Sequence, residues 1–433
     1  MMVLTPLVAL LALQGVPTDG SLLAKIVGIP TGRNGYEDYL RACDLAGPDI
    51  WPMYEQWMGY KASLARAVPA DPDVETTLPP LPPGVSVDST DLGIKRAAND
   101  RVGAAFDILV LGNDKNVYDP RQDFNIETTF PELARFKMLS KIGSNKAYVE
   151  FSEGKTSQAV RDLLDGLRFS RNVFNSVQIS SLVSIAMQAI FLAEFNRHLG
   201  QLSLNDAQTI DKTCQGLIET PYPVIDMMKR ECTMTLNSID KVIADPKLLL
   251  SEEEDKLYGA ALKGLGGTER QQLKDFVSQA LEQRYSDFAT KLSRAESLWP
   301  VGDTSIDPPT SAADKSVSNL AVVIANCLQG KDLQHNFTKA MAKARIQLRL
   351  LQLHAKVIEY HWQNSNWPTS IEQFADAKTA RDPFTGDAFH YEFKDGSYRL
   401  YSTGVPGLGQ IELKYRMSSM RQGSGDDHPS PAR

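Results

Sequence analysis

The sequence predicts a mainly α protein: a helical-hairpin body with a small C-terminal α+β module made of a long helix and an antiparallel β-meander. From Leu92 to about Leu298, apolar residues recur at three- and four-residue spacing, helix after helix. A further long helical pattern begins at Leu333. After it the period changes to that of a strand between Phe389 and Ser402, on either side of Asp395-Gly396. At 433 residues the chain exceeds one ordinary core, so several units are expected.

Composition sets the class. With 42% hydrophobic and 23% charged residues the chain is a globular protein and not a disordered one. A formal charge of -7 favours solubility and gives no reason to expect nucleic acid or an anionic membrane surface as partner.

The N-terminal run MMVLTPLVALLAL ends in Gln14-Gly15 and is too short to span a bilayer, which takes about 20 residues. It fits the apolar core of a secretory leader, so residues 1–15 are expected to be a signal peptide and the protein to be exported. The other reading is a cytoplasmic protein with a buried N-terminal helix. Cys43, Cys214, Cys232 and Cys327 form no CxxC pair, which argues against zinc and for buried free thiols.

A helical segment is expected over 16–68, with Tyr36, Tyr39, Trp51, Tyr54 and Trp57 at helical spacing. Proline then dominates from Pro69 to Pro83. Because proline fixes φ and removes a donor, 69–91 is read as an extended linker.

The all-α domain is placed at 92–298. Its helices are expected over Phe130–Phe151, Ser157–Phe174, Val177–Leu199, Leu204–Ile218, Val224–Ile243 and Ser251–Leu298, the last breaking near Gly264-Leu265-Gly266-Gly267. Ser203 can cap one helix, and Ser251 with Glu254 forms a capping box for another. The stretch Ile179–Phe195 is apolar almost all round apart from serines and Gln188, which reads as the central helix of a bundle and not an integral span. Tyr148, Gly154, Ala159, Leu163 and Leu167 carry a single tetratricopeptide-like hairpin spacing, in which glycine turns the chain and alanine lets the helices touch.

A second linker is expected over 299–316, the terminal module over 317–415 and a disordered tail over 416–433. The module helix places Leu333, Phe337, Met341, Leu348, Leu351 and Ile358 on one buried side, with Arg345 and Arg349 elsewhere. Then come Trp367-Pro368, a short helix at Ser370–Phe374 and the turn Asp382-Pro383-Phe384-Thr385-Gly386. Strands follow around Tyr391 and over Tyr398–Ser402, the second running Leu400-Tyr401-Ser402-Thr403-Gly404. A third strand is expected at Ile411–Tyr415.

In order and spacing, this tail resembles the C-terminal half of type II secretion major pseudopilins, and of bacterial envelope proteins that share it. The resemblance covers about the last fifth of the chain and implies an assembly or docking module. Two family features are missing here. Hundreds of residues precede the module in place of a polymerising helix, and the loop Val405–Gln410 has no carboxylate before Glu412, so neither filament assembly nor calcium is expected.

Catalytic signatures are absent: there is no G-x-S-x-G, H-E-x-x-H, Walker loop or dinucleotide fingerprint. Gly264–Thr268 lacks the lysine and preceding strand of a phosphate loop and reads as a helix-to-helix turn. Glu194 and His198, one turn apart, read as a hydrogen-bonded or capping pair, and His354 and His361 as packing histidines flanking Ile358. Asp206, Asp211 and Glu219 read as solvated helix charges. No cofactor or metal is expected, and the favoured function is a non-enzymatic scaffold that binds a protein or peptide. The rival is an all-α metal-dependent hydrolase using scattered carboxylates and histidines.

Overall fold

The computed structural model describes residues 20–66, 79–125, 127–174, 176–248, 250–294, 299, 316–329, 333–394, 397–404 and 408–413. The expected leader, the tail, Tyr415 and the Asp395-Gly396 turn lie outside them, as do 69–78 of the first linker and 300–315 of the second. The architecture is mainly α, with a three-stranded antiparallel sheet near the C-terminus.

The chain opens with α1 (Leu22–Ile26), α2 (Gly35–Ala46) and α3 (Ile50–Arg66), followed by α4 (Asp91–Val102) and α5 (Ala104–Asn113). Tyr36, Tyr39, Trp51, Tyr54 and Trp57 are all buried, as their spacing requires. They do not build a unit of their own. α2 packs on α5 and on α6 (Pro131–Ser152), so packing crosses the boundary expected at 69–91. The Tyr54 hydroxyl also donates to the Pro83 carbonyl at 2.5 Å, pinning the end of the proline-rich stretch to α3.

α6, α7 (Thr156–Val173) and α8 (Gln178–His198) pack on one another. The α6–α7 turn works as its sequence predicts. Gly154 takes φ +75°, Lys155 N–H returns to the Glu150 carbonyl at 2.9 Å and Gly154 N–H to that of Phe151 at 3.1 Å, the double bond that ends a helix on a left-handed residue. Ala159, Leu163 and Leu167 face inward.

α8 is buried in an unexpected sense. Ser180, Ser181, Ser184, Gln188 and Glu194 point inward, while Ile179 stays 49% exposed. The inward polar groups are satisfied. Ser184 donates to the Ser170 carbonyl at 2.6 Å, and Gln188 to the Ala344 carbonyl at 2.8 Å. Residues 178–201 form the one described helix long and apolar enough to cross a membrane, and 56% of its apolar window lies inside the protein.

α9 (Leu204–Glu219) starts at the Ser203–Asp206 capping box. The helix expected over Val224–Ile243 is two helices, α10 (Val224–Leu236) and α11 (Ile239–Ala244). They part where Asn237 turns its amide to the Phe124 carbonyl at 2.9 Å. α12 (Glu252–Glu254) carries the expected capping box, passes through a π turn into α13 (Ala260–Lys263) and stops at Gly264. α14 (Gly267–Ser293) then packs along α10 and α15 (Val317–Gln329).

α16 (Leu333–Asn364) corrects a one-sided reading. Phe337, Met341, Leu348, Leu351 and Ile358 are buried, but so are Ala344, Ile346, Leu350, Leu353, His354 and Val357. One side of α16 meets α8 and α9 and the other meets the sheet, so the helix expected to lead a separate module lies in the core of the body. A fully buried leucine contributes roughly 2 kcal/mol by area. The sheet consists of β1 (His390–Lys394), β2 (Ser397–Ser402) and β3 (Ile411–Glu412), with Tyr391 paired to Leu400 and Ser402 to Ile411. Tyr398, Leu400 and Ser402 are buried, and Arg399 and Tyr401 alternate outward.

Candidate functional site

The motif residues of the terminal module come together, and their polar groups are used in holding it closed. Asp382 is 2% exposed. Its Oδ1 accepts the Phe384 N–H at 2.8 Å and the Thr385 N–H at 3.4 Å, and its Oδ2 accepts the Ser402 hydroxyl. Ser402 Oγ in turn accepts the Gly404 N–H at 2.8 Å. The aspartate of one motif and the serine of the other therefore form a single hydrogen-bonded tie between the turn and β2.

Around that tie the aromatics pack in series. Trp367 stacks flat on His361 at 3.9 Å and reaches Tyr398 at 5.6 Å. The Tyr391 hydroxyl donates to the carbonyl of buried Pro368 at 2.9 Å. Phe384 takes Trp299 edge-on at 5.3 Å. Pro383 sets φ inside the turn, which Gly386 closes with φ +77°. Leu400 is fully buried, while Tyr401 stacks on His390 and donates to Glu392 at 2.6 Å. Gly404 has φ +77°, and a Cβ there would collide with the Gly409 carbonyl.

The histidine pairs behave as packing and hydrogen-bonding groups. His198 Nε2 meets Glu194 Oε1 at 2.9 Å, its Nδ1 meets Gln201 at 3.2 Å, and its ring stacks on Phe151. His354 is fully buried between the Tyr398 hydroxyl at 3.0 Å and the Leu413 carbonyl at 3.2 Å. Burial holds its pKa down from 6.5 to about 4, against the small upward pulls of the Leu413 carbonyl and Glu412.

Two acids expected to be solvated are not. Asp211 binds α16 through Gln352 at 2.8 Å and Lys356 at 2.7 Å. Asp206 is 3% exposed and accepts the Ser157 hydroxyl at 2.6 Å as well as capping α9. Asp211 finds its partners on a distant helix, and Asp206 finds one on α7 and one at its own cap. The α13–α14 turn is closed by its own chain, since Glu269 accepts the Gly266 N–H at 2.8 Å. Cys43, Cys214 and Cys232 are buried and unbridged, and burial raises each thiol pKa.

Sequence reasoning missed two charge clusters. Arg121 binds Asp119 at 2.6 Å and also Glu132, both carboxylates fully buried, while Tyr36 donates to Glu132 at 3.0 Å and Ser176 to Asp119 at 2.8 Å. Lys146 sits among Asp107, Glu150 and Asp162 from three helices. Burial, then Asp162, raises the Glu150 pKa well above the usual carboxylate value, against the lowering effect of Lys146. The i,i+4 pair Lys146–Glu150 was visible in sequence; Asp107 and Asp162 were not. Among the described residues, no group of three or more His, Cys, Asp or Glu is placed to hold a metal ion.

Openings among the described residues include a groove and a more enclosed cavity. A groove of about 670 Å³ lies between α7 and α9, lined by Arg168, Gln208, Thr209, Lys212, Thr213 and Thr220, among others. A more enclosed cavity of about 580 Å³ lies where the α9–α10 turn meets α14 and α16. Comparison of the chain with family models, curated proteins and solved structures finds no match.

Proposed function

We propose that this protein is a non-enzymatic binding scaffold, exported to the bacterial envelope or secreted. In this reading the helical-hairpin body engages a protein or peptide, and a pseudopilin-like terminal module clasps the body. The observation that carries it is the α7–α9 groove. Lys212 and Arg168, the latter paired with Asp165 at 2.7 Å, bring positive charge to it, three threonines bring hydroxyls, and no carboxylate lines it among the described residues. That lining suits an acidic peptide, read by charge and by hydrogen bonds to its backbone. The module supports the same reading because its motif side chains are occupied in structural bonds.

The test is a display screen of peptides against purified protein, with Arg168→Glu and Lys212→Glu as comparisons. Enrichment of acidic sequences that both variants abolish is the expected result. Stoichiometric zinc, iron or manganese in the native protein, together with hydrolytic turnover, would overturn the non-enzymatic part. Recovery of the native protein only from cytosol, with residues 1–15 retained, would overturn export.

A further inference from the structure

We propose that the cavity between the α9–α10 turn, α14 and α16 binds an amphiphilic organic anion, a carboxylate head on a hydrocarbon tail. At about 580 Å³ the cavity has the size of a small-molecule site. Its lining includes Tyr222, Trp299 and Met341, with Arg294 and Arg345 against a single carboxylate, Asp226, among the described residues.

Positive charge also lies behind this wall. Arg171 stacks 3.3 Å from the Tyr222 ring centroid, and Arg345 lies 5.7 Å from it. Among the described residues Arg171 forms no ion pair; its Nη2 donates to the Thr220 carbonyl at 2.5 Å, and its Nη1 is buried without a hydrogen-bond partner. Burial, with Arg345 nearby, lowers the Arg171 pKa despite the opposing effect of Tyr222. A desolvated cation without a counter-charge raises the local potential, and an anion entering the cavity relieves it.

The tail has an apolar recess beside the cavity. This second recess, of about 300 Å³, lies between α10 and α14, shares Ile225, Ala289 and Ser293 with the cavity and is lined by Met228, Cys232 and Tyr285. Ile225 is 50% exposed at the junction, although it is one of the larger apolar side chains. The far recess carries Lys229 and Glu282, one charge of each sign, whereas Arg294 and Arg345 line the head end. This layout suits an anion with one apolar chain and disfavours a polyanion, whose further charges would lie over Met228 and Tyr285. The inference does not depend on peptide binding in the α7–α9 groove, which lies on other residues.

The probe is dansyl-labelled undecanoate, titrated by fluorescence into the full-length protein, with its neutral methyl ester as the comparison. The acid is expected to bind one to one and the ester about tenfold more weakly. Arg294→Glu and Ile225→Asp, both at exposed positions, are each expected to weaken the acid about fivefold or more without changing thermal unfolding. Arg345→Gln should weaken it further; because Arg345 also donates to the Ile218 carbonyl, the two exposed variants carry the test if this one unfolds. Equal affinity for acid and ester, or undiminished binding in Arg294→Glu and Ile225→Asp, overturns the proposal.

Discussion

His354 should make the fold acid-sensitive in a way that one substitution can isolate. The ring is fully buried between the Tyr398 hydroxyl and the Leu413 carbonyl, with Glu412 the nearest acid acting on it. Its pKa falls from 6.5 unfolded to about 4 folded, so the unfolded chain takes up the proton first. Stability from this site is therefore complete above pH 6.5 and is lost as pH falls toward the folded value. At about 1.4 kcal/mol per tenfold difference in proton affinity, the loss by pH 4 is about 3 kcal/mol. Glu150 acts in the opposite direction, because its folded pKa is raised and its penalty fades on acidification. Comparing wild type with His354→Asn cancels Glu150. Urea unfolding at a series of pH values should show the wild-type advantage shrinking by about 3 kcal/mol between pH 7.5 and pH 4. An advantage that stays flat over that range, or an imidazole titrating at 6 or above by NMR, would refute the reasoning.

Three further predictions follow from the same packing. Asp382→Ala leaves the Phe384 and Thr385 N–H groups and the Ser402 hydroxyl without their acceptor, and should cost about 3 kcal/mol by denaturant unfolding, with Ser402→Ala costing about half as much. Gly404→Ala meets both a positive φ and the Gly409 carbonyl, so hydrogen exchange over β2 and β3 should accelerate by about a hundredfold, corresponding to roughly 3 kcal/mol. Gln188→Leu deletes the bond to the Ala344 carbonyl inside the α8–α16 contact, and unfolding should show a loss of about 1–2 kcal/mol; an unchanged midpoint would mean that the bond carries no net stability.

How much of this could be read from the sequence depends on how far each residue lies from its partner. The Ser203 and Ser251 caps, the Gly154 turn and the pairing of β1 with β2 are local, and the structure has them. The motif Asp382-Pro383-Phe384-Thr385-Gly386 was visible as a turn, but its tie to Ser402 spans twenty residues and needs β2 in register. Asp211 looked solvated because Gln352 and Lys356 lie some 140 residues downstream. The Lys146 cluster draws on α5, α6 and α7, and the proposed anion cavity on α9–α10, α14 and α16, so neither has a local signature. The burial of α8 was legible but its orientation was not, since a helix apolar on every side gives no phase.

That missing phase bears on how the body and the terminal module share one helix. α8 turns Ser180, Ser184 and Gln188 inward, where each binds a backbone carbonyl: Val177, Ser170 and Ala344 respectively. Apolar contacts alone would tolerate sliding or rotation of one helix against another, whereas a side chain that must meet one particular carbonyl does not. The Gln188 bond lands on α16, so the position of α16 is set from the body side by α8, and also by Asp211 of α9. On its other face His354 meets Tyr398 and Leu413. A displacement of the sheet is thus opposed by the same helix that α8 and α9 fix, and the Asp382–Ser402 tie keeps the sheet closed against the turn. The chain of polar contacts from α8 through α16 to β2 ties the sheet to the helical body, although the sequence between them reads as a spacer.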